Sequence, residues 1–352
     1  MTSSKRAFAA VFAAALVLAA PTVVYAQRAV VRGVVTDAAG GPLAYSVVSV
    51  GSSDRQLLTD DSGKFVFSGL VPGSYHLRAR HLGFLPLDTL IDVRADGAGR
   101  LELRLTHLTV QLSEMRVVVP GPCIHPGPPD PRTEESLAAV FGQLRENADR
   151  AITLGQQFPF LLQMERRSWR TARGDRRPMG LDTVVVDGGA RWPYRRGQMI
   201  SVVNDRGKAA RQFNIPGLAQ LADSAFHNAH CFTYGGVETI KGQRYIRVDF
   251  HPDVAMTTAD IEGSAWLDPD SYQLMRMVMS LTHPEAVDPN MFALKVTSSY
   301  GEIVSAIAIL DTVEGISSFE MPQGGTVVHT EQQKRVSVVF TRGAPPPGAA
   351  LQ

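Results

Sequence analysis

Apolar and polar residues alternate over short stretches in the first third of the chain. Within residues 65–67, 75–80 and 101–105, alternate side chains are apolar, so one face of each stretch suits a core and the other suits water. Turn-favouring clusters such as Asp60-Asp61-Ser62-Gly63 separate these stretches. The pattern predicts about seven short strands and a β-sandwich over residues 27–119.

The pattern changes after this first unit. Residues 120–132 are dense in proline, which continues neither a helix nor the interior of a sheet, and they predict a stiff linker. Directly afterwards, Leu137, Val140, Phe141 and Leu144 recur at the spacing of one helix face. We therefore expect an amphipathic helix to open a second unit over residues 133–342.

The rest of the second unit is mostly strand-like. A second helix is predicted at residues 217–226, where Leu218, Leu221 and Ala222 repeat at helical spacing. Many strands with one or two helices predict an α+β domain with a curved antiparallel sheet. Residues 343–352 are predicted to be a disordered tail. The predicted strands are 160–164, 181–186, 244–250, 272–281, 292–296, 302–310 and 326–340.

The first 26 residues have the organisation of a secretory signal peptide. Lys5 and Arg6 precede an apolar stretch at residues 7–20, and small residues lead to Ala26. A membrane anchor is the alternative, but a spanning helix needs roughly 20 apolar residues, more than this stretch supplies. We predict an exported protein, periplasmic or extracellular, without a transmembrane segment after cleavage; association with the outer membrane is left open.

Charge and cysteine content narrow the function classes. The formal net charge is +1, and with no basic run recognised the sequence gives no sign of nucleic-acid binding. The two cysteines are Cys123 and Cys231. An oxidising compartment favours a disulfide between them, and two unpaired thiols are the alternative.

The first unit resembles a known family. The order of its sequence motifs and its turn glycines are similar to those of the carboxypeptidase regulatory-like domain, an immunoglobulin- or prealbumin-like β-sandwich. The resemblance implies an interaction or carbohydrate-binding role rather than catalysis. The segments that carry it are Val31-Arg32-Gly33-Val34-Val35-Thr36-Asp37, Gly41-Pro42-Leu43, Val48-Ser49-Val50, Thr59-Asp60-Asp61-Ser62-Gly63-Lys64-Phe65, Leu70-Val71-Pro72-Gly73-Ser74-Tyr75 and Gly83-Phe84.

The sequence lacks the metal ligands that the peptidase activity suggested by the family name would need. A zinc carboxypeptidase needs a His-x-x-Glu pair to place two ligands on one metal, and no histidine of this chain has glutamate three residues later. Gly-x-Ser-x-Gly and phosphate-loop motifs are also missing from the sequence. We therefore assign no catalytic residue, no metal and no cofactor.

A second resemblance covers about 50 residues of the second unit. Residues 236–248, followed by Glu262-Gly263-Ser264-Ala265-Trp266-Leu267-Asp268-Pro269 and residues 272–274, are similar to periplasmic half-barrel proteins related to outer-membrane lipoprotein carriers. That resemblance implies a concave sheet that can hold an apolar ligand.

Three groups of residues are candidates for a site. His227 and His230, near Cys231, form a polar cluster that in a helix could bind zinc, although a disulfide at Cys231 would remove the thiolate. Met275, Met277 and Met279 alternate along one strand and would line an apolar groove or belong to the core. The stripe of His76, Arg78 and Arg80, with His81 at its end, is interpreted as solvent-exposed.

These observations favour an exported, non-catalytic binding or docking protein. Its expected partners are a carbohydrate or a cell-envelope protein, not a nucleic acid. A hydrolase with an unrecognised site around His227 and His230 is one alternative, and a half-barrel carrier of an apolar ligand is another.

Overall fold

The computed structural model describes residues 28–51, 55–97, 99–110, 121–189, 192–205, 208–214 and 216–345. The predicted signal peptide lies outside this range, as do residues 346–352 of the predicted tail. Strands hold 53% of the described residues and helices 12%, so the mainly β fold class predicted from the sequence is confirmed.

Seven strands of the first unit form two facing sheets. One sheet has the order β4-β1-β7 and the other β3-β2-β5-β6. Alternate side chains such as Phe65 and Phe67 enter the core between them, because successive side chains of a strand point to opposite faces. The strands are β1 (Ala29–Thr36), β2 (Val47–Val50), β3 (Gln56–Leu58), β4 (Lys64–Leu70), β5 (Gly73–Arg80), β6 (Leu87–Val93) and β7 (Arg100–Arg104).

The second unit is built on one nine-stranded antiparallel sheet. Its order is β12-β13-β14-β15-β16-β17-β18-β8-β9, and a separate hairpin is formed by β10 and β11. The strands are β8 (Phe160–Ala172), β9 (Asp175–Asp187), β10 (Ile200–Asp205), β11 (Lys208–Phe213), β12 (His230–Ile240), β13 (Gln243–Pro252), β14 (Ile261–Leu267), β15 (Leu274–Leu281), β16 (Met291–Val304), β17 (Ile307–Glu320) and β18 (Thr326–Phe340).

Helix α1 (Glu135–Gln157) packs against one face of this sheet. Its predicted apolar face is buried, with Val140 0% and Leu144 1% exposed, against sheet residues that include Val248 and Met277. A fully buried side chain of this size contributes roughly 1.5–3 kcal/mol, so packing rather than helix propensity holds α1 in place.

Two sequence-based predictions about local structure are wrong. The helix predicted at residues 217–226 is a 3-10 helix at Leu218–Ala222 followed by the short helix α2 (Ser224–His227). Asp223 separates the two because its backbone is extended and its carboxylate accepts a hydrogen bond from the N–H of Ala225. The strand predicted at residues 302–310 is divided by a turn at Ala306, whose φ is +57°.

The two units share a core. Tyr45, Val47 and Leu58 of the sandwich pack with Leu154 of α1 and with residues of the large sheet such as Phe160. Polar contacts add to this interface: the Gln56 amide donates to the Thr153 hydroxyl over 2.9 Å. A second donor, the N–H of Leu58, reaches the Gln157 side-chain oxygen, also over 2.9 Å. One face of α1 therefore packs against the large sheet, and another packs against the sandwich.

Candidate functional site: a cleft between the sandwich and helix α1

A cleft of about 290 Å³ lies where the sandwich meets α1. The end of β5 and the turn after it form one wall, and the first half of α1 forms the other. The lining residues from the sandwich side are Arg78, Arg80, His81, Phe84, Leu85, Pro86 and Leu108; those from α1 are Ala138, Ala139, Gly142, Gln143, Arg145, Glu146 and Asp149.

Small residues on α1 leave this space open. Ala138, Ala139 and Gly142 project little from the helix, and a Cβ added at Gly142 would meet no heavy atom within 4 Å. The opposite wall is apolar, formed by Phe84, whose ring lies 5.4 Å from that of His81, and by the exposed Leu85. The cleft therefore pairs an apolar wall with an accessible stretch of helix.

The floor of the cleft is an ion-pair network between the two units. Nη1 of Arg80 lies 2.8 Å from a carboxylate oxygen of Glu146 and 2.7 Å from one of Asp149. The Arg80 and Glu146 side chains are only 17% and 7% exposed. Water screens this pair little, unlike an exposed one. The prediction that Arg80 is solvent-exposed is therefore wrong, because the helix that covers it cannot be seen from the strand pattern.

One carboxylate oxygen in this network has no partner. Oε2 of Glu146 is held by Arg80, whereas Oε1 is buried and has no hydrogen-bond partner among the described residues. Burial raises the pKa of the Glu146 carboxyl, while the positive charges of Arg80 and Arg150 act to lower it. A buried acceptor without a partner is costly, and because Oε1 is shielded from solvent, a molecule in the cleft reaches it only if neighbouring side chains move.

A fully buried arginine lies behind Glu146. Arg150 is 0% exposed, its Nε donates to the carbonyl oxygen of Ala306 over 3.0 Å, and its Nη1 lies 3.2 Å from Nδ1 of His81. Because guanidinium nitrogens only donate, Nδ1 of His81 accepts, and the proton of the neutral ring is on Nε2. This network joins the sandwich, α1 and the turn between β16 and β17.

His81 makes stability depend on pH. Burial holds the pKa of His81 well below 6.5, and the charge of Arg150 lowers it further. Below pH 6.5 the unfolded chain binds a proton that the folded chain resists. We therefore expect the free energy of unfolding to be largest above pH 6.5 and to fall by up to about 1.4 kcal/mol per pH unit below it. Urea unfolding between pH 7.5 and 5 measures this slope.

A variant separates His81 from other acid-sensitive groups. Burial also lowers the pKa of His227, so part of the slope should survive in His81→Gln. An unchanged slope in His81→Gln would show that His81 is protonated equally in both states.

The two histidines of the predicted polar cluster, His227 and His230, form hydrogen bonds with backbone carbonyl groups. Nε2 of His227 donates to the carbonyl oxygen of Leu221 over 2.6 Å. The two nitrogens of His230 face the carbonyl oxygens of Phe226 and Ile261, at 2.9 and 3.0 Å. Both ring nitrogens of His230 are therefore engaged with backbone carbonyl groups.

A buried carboxylate also lies beside His230. Asp260 lies 3.6 Å from Nε2 of His230, and both side chains are completely buried. The hydroxyl of Tyr194 donates to the other Asp260 oxygen over 2.5 Å. Burial acts to raise the pKa of Asp260, but its bonds to His230 and Tyr194 outweigh this and lower it. These contacts give His230 a role in joining β12 to β14.

The remaining predicted residues lie elsewhere. Sγ atoms of Cys123 and Cys231 are bonded to each other. Met277 and Met279 are 0% and 2% exposed in the core beneath α1, and Met275 is half-buried at an irregularity in the pairing of β14 with β15. The cleft next to α1 is not lined by these methionines.

Sequence reasoning missed the α1 side of the cleft. Glu146, Asp149 and Arg150 are polar residues on a helix, and such residues are usually solvated. The available signal is that Gln143, Glu146 and Arg150 also repeat at helical spacing, which gives α1 a second continuous face. Only the folded structure shows that the sandwich covers this face.

Comparisons with known proteins identify the first unit. The family profile of the carboxypeptidase regulatory-like domain matches residues 30–106. No curated protein sequence matches the chain. Within the part of the chain that the structure describes, no helix is both long and apolar enough to span a bilayer.

Several solved structures are similar in part. Chlorocatechol 1,2-dioxygenase from Pseudomonas putida is 16% identical, with 23% of this chain and 61% of the dioxygenase covered and a TM-score of 0.20; this chain thus spans about three fifths of that enzyme's length. A DUF1329 family protein from Desulfovibrio piger is 11% identical over 58% of this chain and 93% of its own, with a TM-score of 0.33.

A third similar structure is the putative outer membrane lipoprotein-sorting protein domain from Vibrio parahaemolyticus. It is 10% identical, with 56% of this chain and 94% of that domain covered and a TM-score of 0.31. The family assignment itself rests on the profile match, which includes the motifs from Val31 to Gly83. Residues 30–106 are therefore a carboxypeptidase regulatory-like domain.

Proposed function

We propose that this chain is an exported, non-catalytic binding protein of the cell envelope and that the cleft between the sandwich and α1 binds a small hydroxylated ligand, such as a monosaccharide. The observation that carries the proposal is the cleft itself, where the carboxylate of Asp149 is 26% exposed among other charged side chains. A ligand hydroxyl can donate a hydrogen bond to such a carboxylate.

The rest of the cleft fits the same ligand class. Small-ligand sites combine apolar walls with a few polar groups that fix orientation. Phe84 and Leu85 offer an apolar wall to the C–H face of a sugar ring, and Arg78 and Arg145 at the cleft supply donors to its oxygens. A volume of about 290 Å³ suits one sugar ring rather than a long acyl chain.

Export is supported by two features of the chain. The N-terminal 26 residues have the order of a signal peptide, and the disulfide between Cys123 and Cys231 suits an oxidising compartment. Cell fractionation followed by mass spectrometry of the isolated protein tests this part: an N-terminus near residue 27 is expected.

Gly142 provides a direct test of the cleft. Gly142→Trp places a large ring where nothing obstructs a Cβ, so it fills the cleft while leaving α1 intact. Isothermal titration with glucose, galactose, N-acetylglucosamine, glucuronate and myo-inositol should show binding to the unaltered protein. We expect at least about a tenfold loss of affinity in Gly142→Trp, a difference of about 1.4 kcal/mol.

Two further variants complete the test. Gly142→Ala is the matched control: it should retain binding and stabilise the protein by about 0.5–1 kcal/mol, because alanine favours a helix more than glycine does. Asp149→Asn should weaken binding, since it replaces a charged acceptor at the cleft with a neutral amide. If none of the five compounds binds, or if Gly142→Trp binds as well as Gly142→Ala, the proposal is overturned.

A further inference from the structure

The hairpin of β8 and β9 carries a local excess of positive charge. Residues 165–182 contain six arginines and three carboxylates, although the whole chain has a net charge of only +1. The sequence-based prediction that the chain has no basic run is therefore wrong for this segment. The three carboxylates are paired as Arg166–Asp182, Arg167–Glu165 and Arg177–Asp175.

Three arginines of the hairpin are left to face solvent. Arg170, Arg173 and Arg176 are exposed and form no ion pair within the described residues. Arg173 lies at the extreme tip, because Ala172 pairs directly with Asp175 and only two residues form the turn. The tip is thus a concentrated cationic surface.

The backbone conformation at the tip of the hairpin is unfavourable for the arginine found there. Arg173 has φ +50° and Gly174 has φ +81°, the geometry of a two-residue turn that favours asparagine or glycine at both positions. An arginine in the left-handed region costs roughly 1–2 kcal/mol. Lys241 and Gly242 form the same kind of turn between β12 and β13, with φ +50° and +84°, so the conformation places Arg173 at the tip without by itself marking it as functional.

Apolar and aromatic side chains lie beside these arginines. The guanidinium of Arg176 is 4.4 Å from the ring centroid of Trp169. Met179 and Leu181 on β9 are 58% and 67% exposed. Because directly paired residues share a face, Trp169, Arg176 and Leu181 lie on one face of the hairpin, and Arg170 lies on the other. Exposed apolar side chains flanked by arginines on one face form an amphipathic surface of the kind that binds at a membrane interface.

The edge of β9 is poorly suited to add a strand from another protein. β9 is the last strand of the nine-stranded sheet. Pro178 within it has no N–H to donate, and the pairing with β8 is irregular at Ser168 and Trp169. The edge is therefore blocked, while the tip and its side chains remain accessible.

We propose that the β8–β9 hairpin docks this protein on the surface of an anionic lipid bilayer. The guanidinium groups of Arg173 at the tip and of Arg176 on the face of Leu181 pair with lipid phosphates, which they match in charge and geometry. Met179 and Leu181 insert at the boundary between headgroups and acyl chains. The docking surface is separate from the cleft, so it does not depend on the proposed ligand.

Vesicle sedimentation tests the docking surface. The natural, processed protein should bind vesicles of phosphatidylcholine mixed with phosphatidylglycerol at least about tenfold more tightly than vesicles of phosphatidylcholine alone, and high salt should remove the difference. The double variant Arg173→Glu and Arg176→Glu should lose this preference. The control variant Arg94→Glu and Arg100→Glu changes the net charge equally on exposed sandwich positions and should keep it.

Arg173→Asn distinguishes docking from a structural role. Asparagine suits the left-handed turn, so this variant should be at least as stable as the unaltered protein and yet bind anionic vesicles several-fold more weakly. Equal binding of both vesicle types by the unaltered protein would overturn the proposal. It would equally be overturned by unchanged binding of the Arg173 and Arg176 double variant, or by binding to heparin through these arginines without binding to vesicles.

Discussion

Replacing Arg80 with methionine is expected to lower the free energy of unfolding by about 3–5 kcal/mol. Methionine keeps much of the volume of the arginine stem but leaves Glu146, which is only 7% exposed, without its direct partner. A buried carboxylate that loses its cation retains the cost of desolvation and loses the compensating attraction. Denaturant unfolding monitored by tryptophan fluorescence and circular dichroism measures the difference.

Two companion variants show whether the loss comes from the buried charge. Arg78→Met is the control, because Arg78 is 49% exposed and lies 3.7 Å from a carboxylate oxygen of Asp88; it should cost less than about 1 kcal/mol. Adding Glu146→Gln to Arg80→Met removes the stranded charge and should recover part of the stability. If the double variant is as unstable as the sum of the single variants, the Arg80–Glu146 pair contributes no coupling.

Local patterns were sufficient for the sandwich. The alternation at Phe65 and Phe67 identifies the buried face of β4, because a strand must turn alternate side chains to the core. Gly63 ends the preceding turn with φ +73°, and a Cβ there would lie 2.5 Å from the carbonyl oxygen of Val35. Such a position accepts little except glycine, so the turn can be read directly from the sequence.

Turns that contain no glycine, asparagine or proline could not be predicted in the same way. Ala306 adopts φ +57° between β16 and β17, and neither glycine, asparagine nor proline marks the position. Its carbonyl oxygen accepts from Arg150, which lies outside the hairpin, and its N–H donates to the side chain of Glu302 within the hairpin. Tertiary contacts over 156 residues of sequence override local preference here.

The cleft was beyond sequence reasoning for a related reason. Polar residues on α1 could be assigned to a helix face, but not to a partner, since a solvated face and an interface with ion pairs have the same pattern. From the sequence alone, Gly142 likewise predicts only a local loss of helix stability. Its role as an opening beside Glu146 depends on where the turn with Phe84 lies in space.

Removing the disulfide between Cys123 and Cys231 is expected to lower the free energy of unfolding by about 4–5 kcal/mol. The bridge closes a loop with a sequence separation of 108 residues, and its main effect in the chain-entropy model is to restrict the unfolded chain. A variant with Cys123→Ser and Cys231→Ser, compared with the unaltered protein in urea, measures the loss.

The native structure around the bridge should survive this change. Gly127 donates its N–H to the carbonyl oxygen of His230 over 2.9 Å, and Val254 donates to that of Cys123 over 2.9 Å, so the proline-rich segment is held against the ends of β12 and β13 by backbone bonds as well. The dependence of unfolding on urea should steepen, because an unfolded chain without the bridge exposes more surface. Reductant should destabilise the unaltered protein and leave the serine variant unaffected. A loss below about 1 kcal/mol would mean that contacts of the proline-rich segment, rather than loop closure, set its contribution to stability.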